Sequence, residues 1–308
     1  MANTPTSQRK LRLNQPHITA PLLVLFAFVA MHLSRYMLAG SENVSDLFLN
    51  TALVQILVMI VPCMLYYLLK KRTLATPMPS VAIKGRHVAL TLFGGCLLIS
   101  GNLLIKFLYR LASSQTADSS VFFAQLSGQE GEVSPAGLLL ALVIVPAVCE
   151  EILFRGVLLA EYRSLGEGNA VVISAVCFAM LHFSVTGFPI YLFSGLLLGI
   201  LAASSRSILP SILLHLVSNA LSLYTSDQFL SIIMDRNGAF FVGFLLTVMF
   251  GAFLFLFLYC LEHQYLRFAQ EPPVQSLPPK NRTNLHRVFL SPAFLLLLAV
   301  FLVITAVQ

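Results

Sequence analysis

The chain has 308 residues, of which 57% are hydrophobic and 10% are charged, and its mean hydropathy is +0.85. A soluble globular domain carries about 25% charged residues, so this composition excludes a soluble protein and indicates a membrane protein with many spans. The net charge of +6 does not indicate nucleic-acid binding, because the basic residues occur in short clusters between apolar runs.

Apolar runs of span length follow one another along the whole chain. Backbone polar groups within lipid must be paired inside their own segment, which favours helices over irregular structure. We therefore predict an all-α fold, a polytopic transmembrane helical bundle of about eight or nine spans. The predicted spans are residues 19–39, 49–69, 87–110, 136–160, 169–186, 188–204, 208–225, 239–261 and 287–307.

The charges of the loops predict how the bundle sits in the membrane. Lys and Arg cluster before the first span and in the loops after the second, fourth, sixth and eighth spans, whereas the alternate loops are mainly acidic. This alternation places the N-terminus in the cytoplasm. The compact loops and the absence of organelle-sorting signals favour a bacterial inner membrane, with the lipid bilayer as the first partner.

The same reading divides the chain into six parts. They are a cytoplasmic tail at 1–18, N-terminal transmembrane helices with an external loop at 19–135, a core at 136–225 that carries the polar motifs, a further transmembrane helix at 226–262, a Pro-rich linker at 263–286 and a C-terminal transmembrane helix at 287–308.

The fourth span contains two adjacent carboxylates. A charge facing lipid costs several kcal/mol, so such groups face a bundle interior, pair with a partner or do chemistry. Glu151 and Arg155 are four residues apart, which places them on one helix face as a predicted ion pair. Glu150 is rotated about 100° away and faces a different neighbour. Pro146 lacks an N–H and is predicted to loosen the helix one turn earlier.

Two later spans carry histidines. His182 follows Phe178 by four residues in the fifth span, and His215 precedes Asn219 by four residues in the seventh. If the three helices converge, Glu150, His182, His215 and Asn219 form one polar pocket inside the membrane.

Such a pocket suits the activation of water. A carboxylate in a low-dielectric site is a competent general base near neutral pH, and a neighbouring histidine can orient the water. The other histidine and the amide can donate hydrogen bonds to a developing oxyanion. The same groups, Glu150, His182 and His215, also suit a divalent metal such as zinc. The spacing does not separate a metal-assisted from a metal-free mechanism.

The order of these motifs resembles that of a known family. Glu150-Glu151-Ile-Leu-Phe-Arg155, Phe178-Ala-Met-Leu-His182 and His215-Leu-Val-Ser-Asn219 are similar to the motifs of the CPBP intramembrane proteases. That family includes type II CAAX prenyl endopeptidases and bacteriocin-processing or self-immunity, Abi-like proteins. The resemblance covers about residues 136–225, and the flanking spans match only in being hydrophobic.

The resemblance implies roles for the motif residues. Glu150 would be the catalytic base, His182 would help to polarise the water, and His215 with Asn219 would bind the oxyanion. The architecture of the site would be supported by Glu151, Arg155 and Phe178. The family has been described both as metalloproteases and as metal-free glutamate proteases, so the metal stays open. The substrate would be a peptide or protein in the membrane, with or without a lipid.

Two other functions are compatible with the sequence. A non-catalytic scaffold or immunity-type protein would use the same helices to bind a partner. A proton- or ion-coupled transporter would use the buried carboxylates and histidines as a relay, although no inverted repeat or matching pair of broken helices is visible. The substrate is equally open between a prenylated C-terminal peptide, a leader peptide and a misfolded membrane segment.

Two lesser patterns also carry predictions. Gly195 and Gly199 in the sixth span form a small-xxx-small pattern, which predicts close helix packing. Asn102 and Lys106 in the third span would line the pocket or a substrate path, unless Lys106 extends to the membrane interface instead.

Overall fold

Helices account for nearly all of the structure, and no strand occurs among the described residues. The computed structural model describes residues 16–38, 44–69, 85–113, 135–224, 238–270 and 285–307. The apolar runs form helices there, as the need to pair backbone groups within lipid requires. The predicted all-α bundle is confirmed.

The described residues form ten helices in chain order, and two of these helices are interrupted by wider turns. They are α1 (Pro16–Leu38), α2 (44–69), α3 (Gly85–Ser113), α4 (Pro135–Leu165), α5 (Glu167–Leu181), α6 (Phe188–Ser205), α7 (Leu209–Tyr224), α8 (Gly238–Gln270), α9 (Leu285–Phe289) and α10 (Pro292–Val307). The π-helical turns lie at Ile56–Ile60 in α2 and at Leu140–Ile144 and Ile152–Leu158 in α4.

Within the described parts of the chain, five stretches are long and apolar enough to cross a membrane, which supports an integral, multi-pass membrane protein. They are Leu47–Leu69, His87–Ala112, Pro135–Leu165, Phe188–Ser205 and Gly238–Arg267. Other apolar helices are shorter. Glu167–Leu181, with 15 residues, is about 22 Å long at about 1.5 Å per residue, less than a hydrocarbon core of roughly 30 Å. The total of eight or nine spans stays a prediction.

The helices pack around two hydrophobic clusters. The first cluster unites α1, α2, α4, α5 and α10 and includes Phe28, Phe154 and Leu297. The second unites α3, α6, α7 and α8 and includes Leu198 and Phe257. Helix α6 packs against α5 on one side and against α3 and α7 on the other. The candidate site residues described below lie on α4, α5 and α7, where the two clusters meet.

Small residues let α6 approach α5 closely, as the sequence predicts. A Cβ on Gly195 would lie 3.0 Å from the Cα of Ala175, and a Cβ on Gly199 would lie 3.1 Å from the Val171 side chain. Dispersion contacts rise steeply as backbones approach, which offsets the lack of a hydrophobic driving force within lipid. The small-xxx-small pattern therefore marks a real helix contact.

Polar side chains join several helix ends at one end of the bundle. The Gln264 amide of α8 donates to the Ser204 carbonyl near the end of α6, at 3.2 Å. The Tyr265 hydroxyl donates to a Glu167 carboxylate oxygen at the start of α5, at 3.3 Å. These ends are the ones predicted to face the cytoplasm, so their grouping agrees with the alternation of loops. The compartment that they face stays a prediction.

Several helix boundaries differ from the predicted spans, among them the ends of α5 and α8. Helix α5 ends at Leu181 rather than near residue 186, because a tight turn at 182–187 returns the chain into α6. Helix α8 continues to Gln270, into the predicted linker at 263–286, because the first proline that would stop the helix is Pro272. Most of the predicted tail, external loop and Pro-rich linker, at 1–15, 114–134 and 271–284, lies outside the described residues.

Candidate active site

Helix α4 carries both carboxylates between two wide turns. Its α-helical section Val145–Glu151 begins next to Pro146, directly after the π-helical turn Leu140–Ile144. Pro146 cannot donate to a carbonyl of the preceding turn, so the turn before it is free to widen. A second π-helical segment, Ile152–Leu158, follows Glu151 at once. Such insertions frequently occur at functional sites.

Glu151 and Arg155 form the predicted ion pair. Arg155 Nη1 donates to Glu151 Oε1 at 2.7 Å, and both side chains are fully buried. Arg155 Nη2 donates to the Gly195 carbonyl at 3.0 Å, and the guanidinium lies 4.6 Å from the centre of the Phe178 ring. The pair therefore ties α4 to α6 and α5, and its charges are compensated within the protein interior.

His215 of α7 lies between the two carboxylates. Its Nδ1 is 2.9 Å from Glu151 Oε1, within hydrogen-bond distance. Its Nε2 is 3.8 Å from Glu150 Oε2, close but beyond a hydrogen bond. The imidazole is buried, so Glu151 fixes its orientation and directs the other nitrogen toward Glu150. Spacing along the chain could not have predicted this bridge.

One carboxylate oxygen of Glu150 accepts no hydrogen bond from any described residue. The residue is buried, with 8% of its surface exposed, and Oε2 has no hydrogen-bond partner among the described residues. Buried polar atoms usually have a partner in protein or ordered water. An unfilled carboxylate oxygen beside an imidazole is the arrangement expected of a base that receives its proton from a water or a substrate.

His182 lies immediately after the end of α5 with its ring held on several sides. Its Nδ1 is 2.9 Å from the Phe178 carbonyl oxygen. A carbonyl only accepts, so this bond assigns a proton to Nδ1 and makes Nε2 an acceptor in the neutral ring. The Tyr191 ring stacks on the imidazole at 3.7 Å between centroids and 19° between planes.

Phe178 is the side chain that brings the two histidines together. Its ring contacts the His182 ring at 4.9 Å between centroids and the His215 ring at 5.5 Å. It also carries the Arg155 guanidinium on its face. Phe178, which was predicted to support the site, thus provides one aromatic ring that the His182, His215 and Arg155 side chains all contact.

Asn219 lies one turn after His215 on α7 and is half-buried. We find no hydrogen bond from its amide to another described residue. The structure therefore joins Glu150, Glu151, Arg155 and both histidines through a chain of contacts, and places Asn219 near the site by its position on the helix alone.

Three site residues were missed by the sequence reasoning. Gly195 contributes its carbonyl, Tyr191 its ring, and Ser174 a hydroxyl that donates to the Phe154 carbonyl at 2.9 Å. A backbone carbonyl has no sequence signal, and one tyrosine or serine in an apolar helix looks like ordinary packing. Asn102 exchanges hydrogen bonds with Ser194 at 3.1 and 3.2 Å, and its role in lining the pocket or a substrate path stays a prediction.

The predicted metal ligands do not form a ready-made set. Within the described part of the chain, no group of three or more His, Cys, Asp or Glu side chains is arranged to hold a metal ion. Glu150 and His215 lie together, but the Nδ1 atoms of both histidines already face other partners. The zinc hypothesis stays a prediction for experiment.

Fold and candidate site together define a class, a polytopic helical membrane protein with a buried cluster of carboxylate and histidine side chains inside the bundle. The family model described as "Type II CAAX prenyl endopeptidase Rce1-like" matches residues 132–221, a segment that contains all three motifs. This match confirms the resemblance to the CAAX-type intramembrane proteases of the CPBP family, and it points to a membrane-embedded protease that acts on peptides. It covers less than a third of the chain. No curated protein and no solved structure matches the chain.

Proposed function

We propose that this protein is an intramembrane endopeptidase that hydrolyses a peptide bond of a membrane-associated substrate with water activated by Glu150. The observation that carries the proposal is the buried Glu150 carboxylate beside His215, whose Oε2 has no hydrogen-bond partner among the described residues and which lies inside the segment that matches the protease family. A carboxylate kept from lipid and from a permanent partner is suited to accept and return a proton.

The proposed chemistry begins with a water molecule. Glu150 takes one proton from the water, and the oxygen attacks the carbonyl carbon of the scissile peptide bond. His182 accepts a hydrogen bond from the same water through Nε2, since its Nδ1 proton is engaged with the Phe178 carbonyl. Collapse of the tetrahedral intermediate breaks the C–N bond, and the proton held by Glu150 passes to the leaving amine.

His215 and Asn219 are the proposed donors to the oxyanion. With Nδ1 bonded to Glu151, Nε2 of His215 can donate only if the ring is a cationic imidazolium. The amide of Asn219 supplies a second donor.

The test is peptide cleavage by matched carboxamide variants. The purified protein is reconstituted in vesicles and given a fluorogenic peptide library. We expect Glu150→Gln to lose at least about 100-fold in rate, as expected when a general base is removed, while the variant unfolds at the wild-type temperature. Glu167→Gln is the matched control, since Glu167 pairs with Arg163 at 3.3 Å outside the site, and it should cleave normally. Retained cleavage by Glu150→Gln would refute the proposal.

A chelator arm of the same assay addresses the metal. Activity lost in chelator and restored by added zinc would support metal-assisted activation of the water. Activity that is indifferent to chelator would support the metal-free mechanism described above. A fluorescent indicator that detects zinc released when the protein unfolds gives a readout that does not depend on activity.

The family-model description suggests one substrate class to try first. The library should include C-terminal peptides with and without a prenyl group, as well as leader-type peptides and isolated apolar segments. Preference for the prenylated member would assign that class to this chain. A folded protein that cleaves none of them would instead favour the scaffold function.

A further inference from the structure

The His182 ring is restrained by a residue outside the three sequence motifs. We propose that Tyr191 is a positioning residue that holds the His182 imidazole in one orientation and one tautomer. This inference rests on the proposed function for its catalytic meaning, but the geometry that it describes can be measured without catalysis.

The contacts around His182 leave its ring few ways to move. The bond from Nδ1 to the Phe178 carbonyl, 2.9 Å long, fixes one edge of the ring. The Tyr191 ring covers one face in a nearly parallel stack, with centroids 3.7 Å apart and planes 19° apart. The Phe178 ring approaches with its centroid 4.9 Å away at a steeper angle of 58°. Rotation about the Cβ–Cγ bond would break both the hydrogen bond and the stack.

The turn between α5 and α6 is shaped to bring Tyr191 over His182. A Cβ on Gly187 would lie 2.7 Å from Tyr191 Cε2, so the ring occupies space that only glycine leaves. The Gly187 N–H donates to Ser184 Oγ at 2.9 Å, which closes the turn. Tyr191 lies in the first turn of α6, and its N–H donates to the Gly187 carbonyl at 3.1 Å.

Phe183, the residue after His182, packs the same turn against α1. Phe183 has a positive φ of 51°, an uncommon conformation for a bulky residue. It is buried, and its ring lies 4.2 Å from the Phe28 ring centroid. The packing of Phe28 on Phe183 holds this strained residue in place. The backbone that presents His182 is therefore fixed, so the ring itself is what Tyr191 restrains.

The stack matters because His182 has to meet the water through one nitrogen. A flip of the ring would put Cε1 where Nε2 had been, so a C–H group would stand where an acceptor is needed and the water would lose its orientation. Misplacement of a catalytic group by about 1 Å can cost about 100-fold in rate. Loss of the stack should therefore lower kcat while KM stays near its wild-type value.

The matched pair of variants is Tyr191→Phe and Tyr191→Leu. Phenylalanine keeps the stacked ring and removes only the hydroxyl, so we expect kcat close to wild type. Leucine removes the ring, and we expect kcat to fall by about 10- to 100-fold. Phe193→Leu is the packing control, because Phe193 is on the same helix and packs against Phe250 instead. Equal activity of the Phe and Leu variants at Tyr191 would overturn the proposal.

Nitrogen-15 NMR of labelled histidine in detergent micelles gives the readout that is independent of cleavage. The His182 signal is identified by its absence in His182→Gln. Wild type and Tyr191→Phe should show one Nδ1-protonated tautomer, with ring protons shielded by the stacked ring. Tyr191→Leu should lose that shielding and show mixed tautomers. An unchanged His182 signal in Tyr191→Leu would refute the inference. Absence of cleavage with the NMR changes present would refute only the proposed function.

Discussion

Replacing Arg155 by methionine tests the buried ion pair on which the site is built. The substitution keeps the length and apolar stem of the side chain and removes its charge. Arg155 is fully buried and donates to the Glu151 carboxylate and to the Gly195 carbonyl. Methionine leaves both acceptors without that donor and leaves the buried Glu151 carboxyl group without its guanidinium partner.

The structure sets the size of the expected effect. Removing one partner of a buried ion pair typically costs about 3–5 kcal/mol, because the other charge is left uncompensated. Glu151 keeps one partner, since His215 Nδ1 lies 2.9 Å from Oε1. We therefore expect a loss near the lower limit, about 3 kcal/mol in the free energy of unfolding. The double variant Glu151→Gln/Arg155→Met removes both charges and should recover part of it.

The assay is unfolding in mixed micelles followed by circular dichroism. Arg163→Met is the control, because Arg163 pairs with Glu167 at the same four-residue spacing but is partly exposed. Partly exposed pairs contribute about 0–1 kcal/mol, so this variant should be nearly neutral. A similarly small loss for Arg155→Met would show that the Arg155 pair is not desolvated, and would refute the reasoning.

Two further substitutions test the packing around α6. Gly195→Ala should destabilise the protein by about 1–3 kcal/mol, because its Cβ would lie 3.0 Å from the Ala175 Cα. Gly251→Ala is the control, since a Cβ there would meet nothing within 4 Å, and it should leave the free energy of unfolding unchanged. Equal free energies of unfolding for the two variants would contradict the close packing. Ser194→Ala removes both hydrogen bonds to Asn102 and should cost about 0.6–2 kcal/mol, the range for polar contacts between membrane helices. No loss of unfolding free energy in that variant would show that the pair is dispensable.

The sequence predicted the parts of the site that depend on spacing within one helix. Four-residue separation placed Glu151 and Arg155 on one face, and the structure joins them by a buried hydrogen bond. The same argument gave close packing at Gly195, because small residues four apart make a groove. Such predictions succeed because the geometry of a single helix is nearly constant.

The rest of the site depends on how helices meet, which spacing does not specify. The position of His215 between the two carboxylates comes from the packing of α7 on α4. The stack of Tyr191 on His182 depends on the turn at 182–187, which the apolar pattern had placed inside the predicted span 169–186. Pro146 predicted the loosened turn before Glu150, but the second π-helical segment, Ile152–Leu158, contains no proline that would have predicted it.

The central claim is that Glu150 activates a water molecule for peptide hydrolysis. The most direct measurement is mass spectrometry of cleavage products formed in water enriched in oxygen-18, by wild type and by Glu150→Gln side by side. The account predicts one oxygen-18 atom in the new carboxyl terminus with wild type, and no product with the variant at equal folded protein. Labelled product formed at the same rate by Glu150→Gln would contradict it.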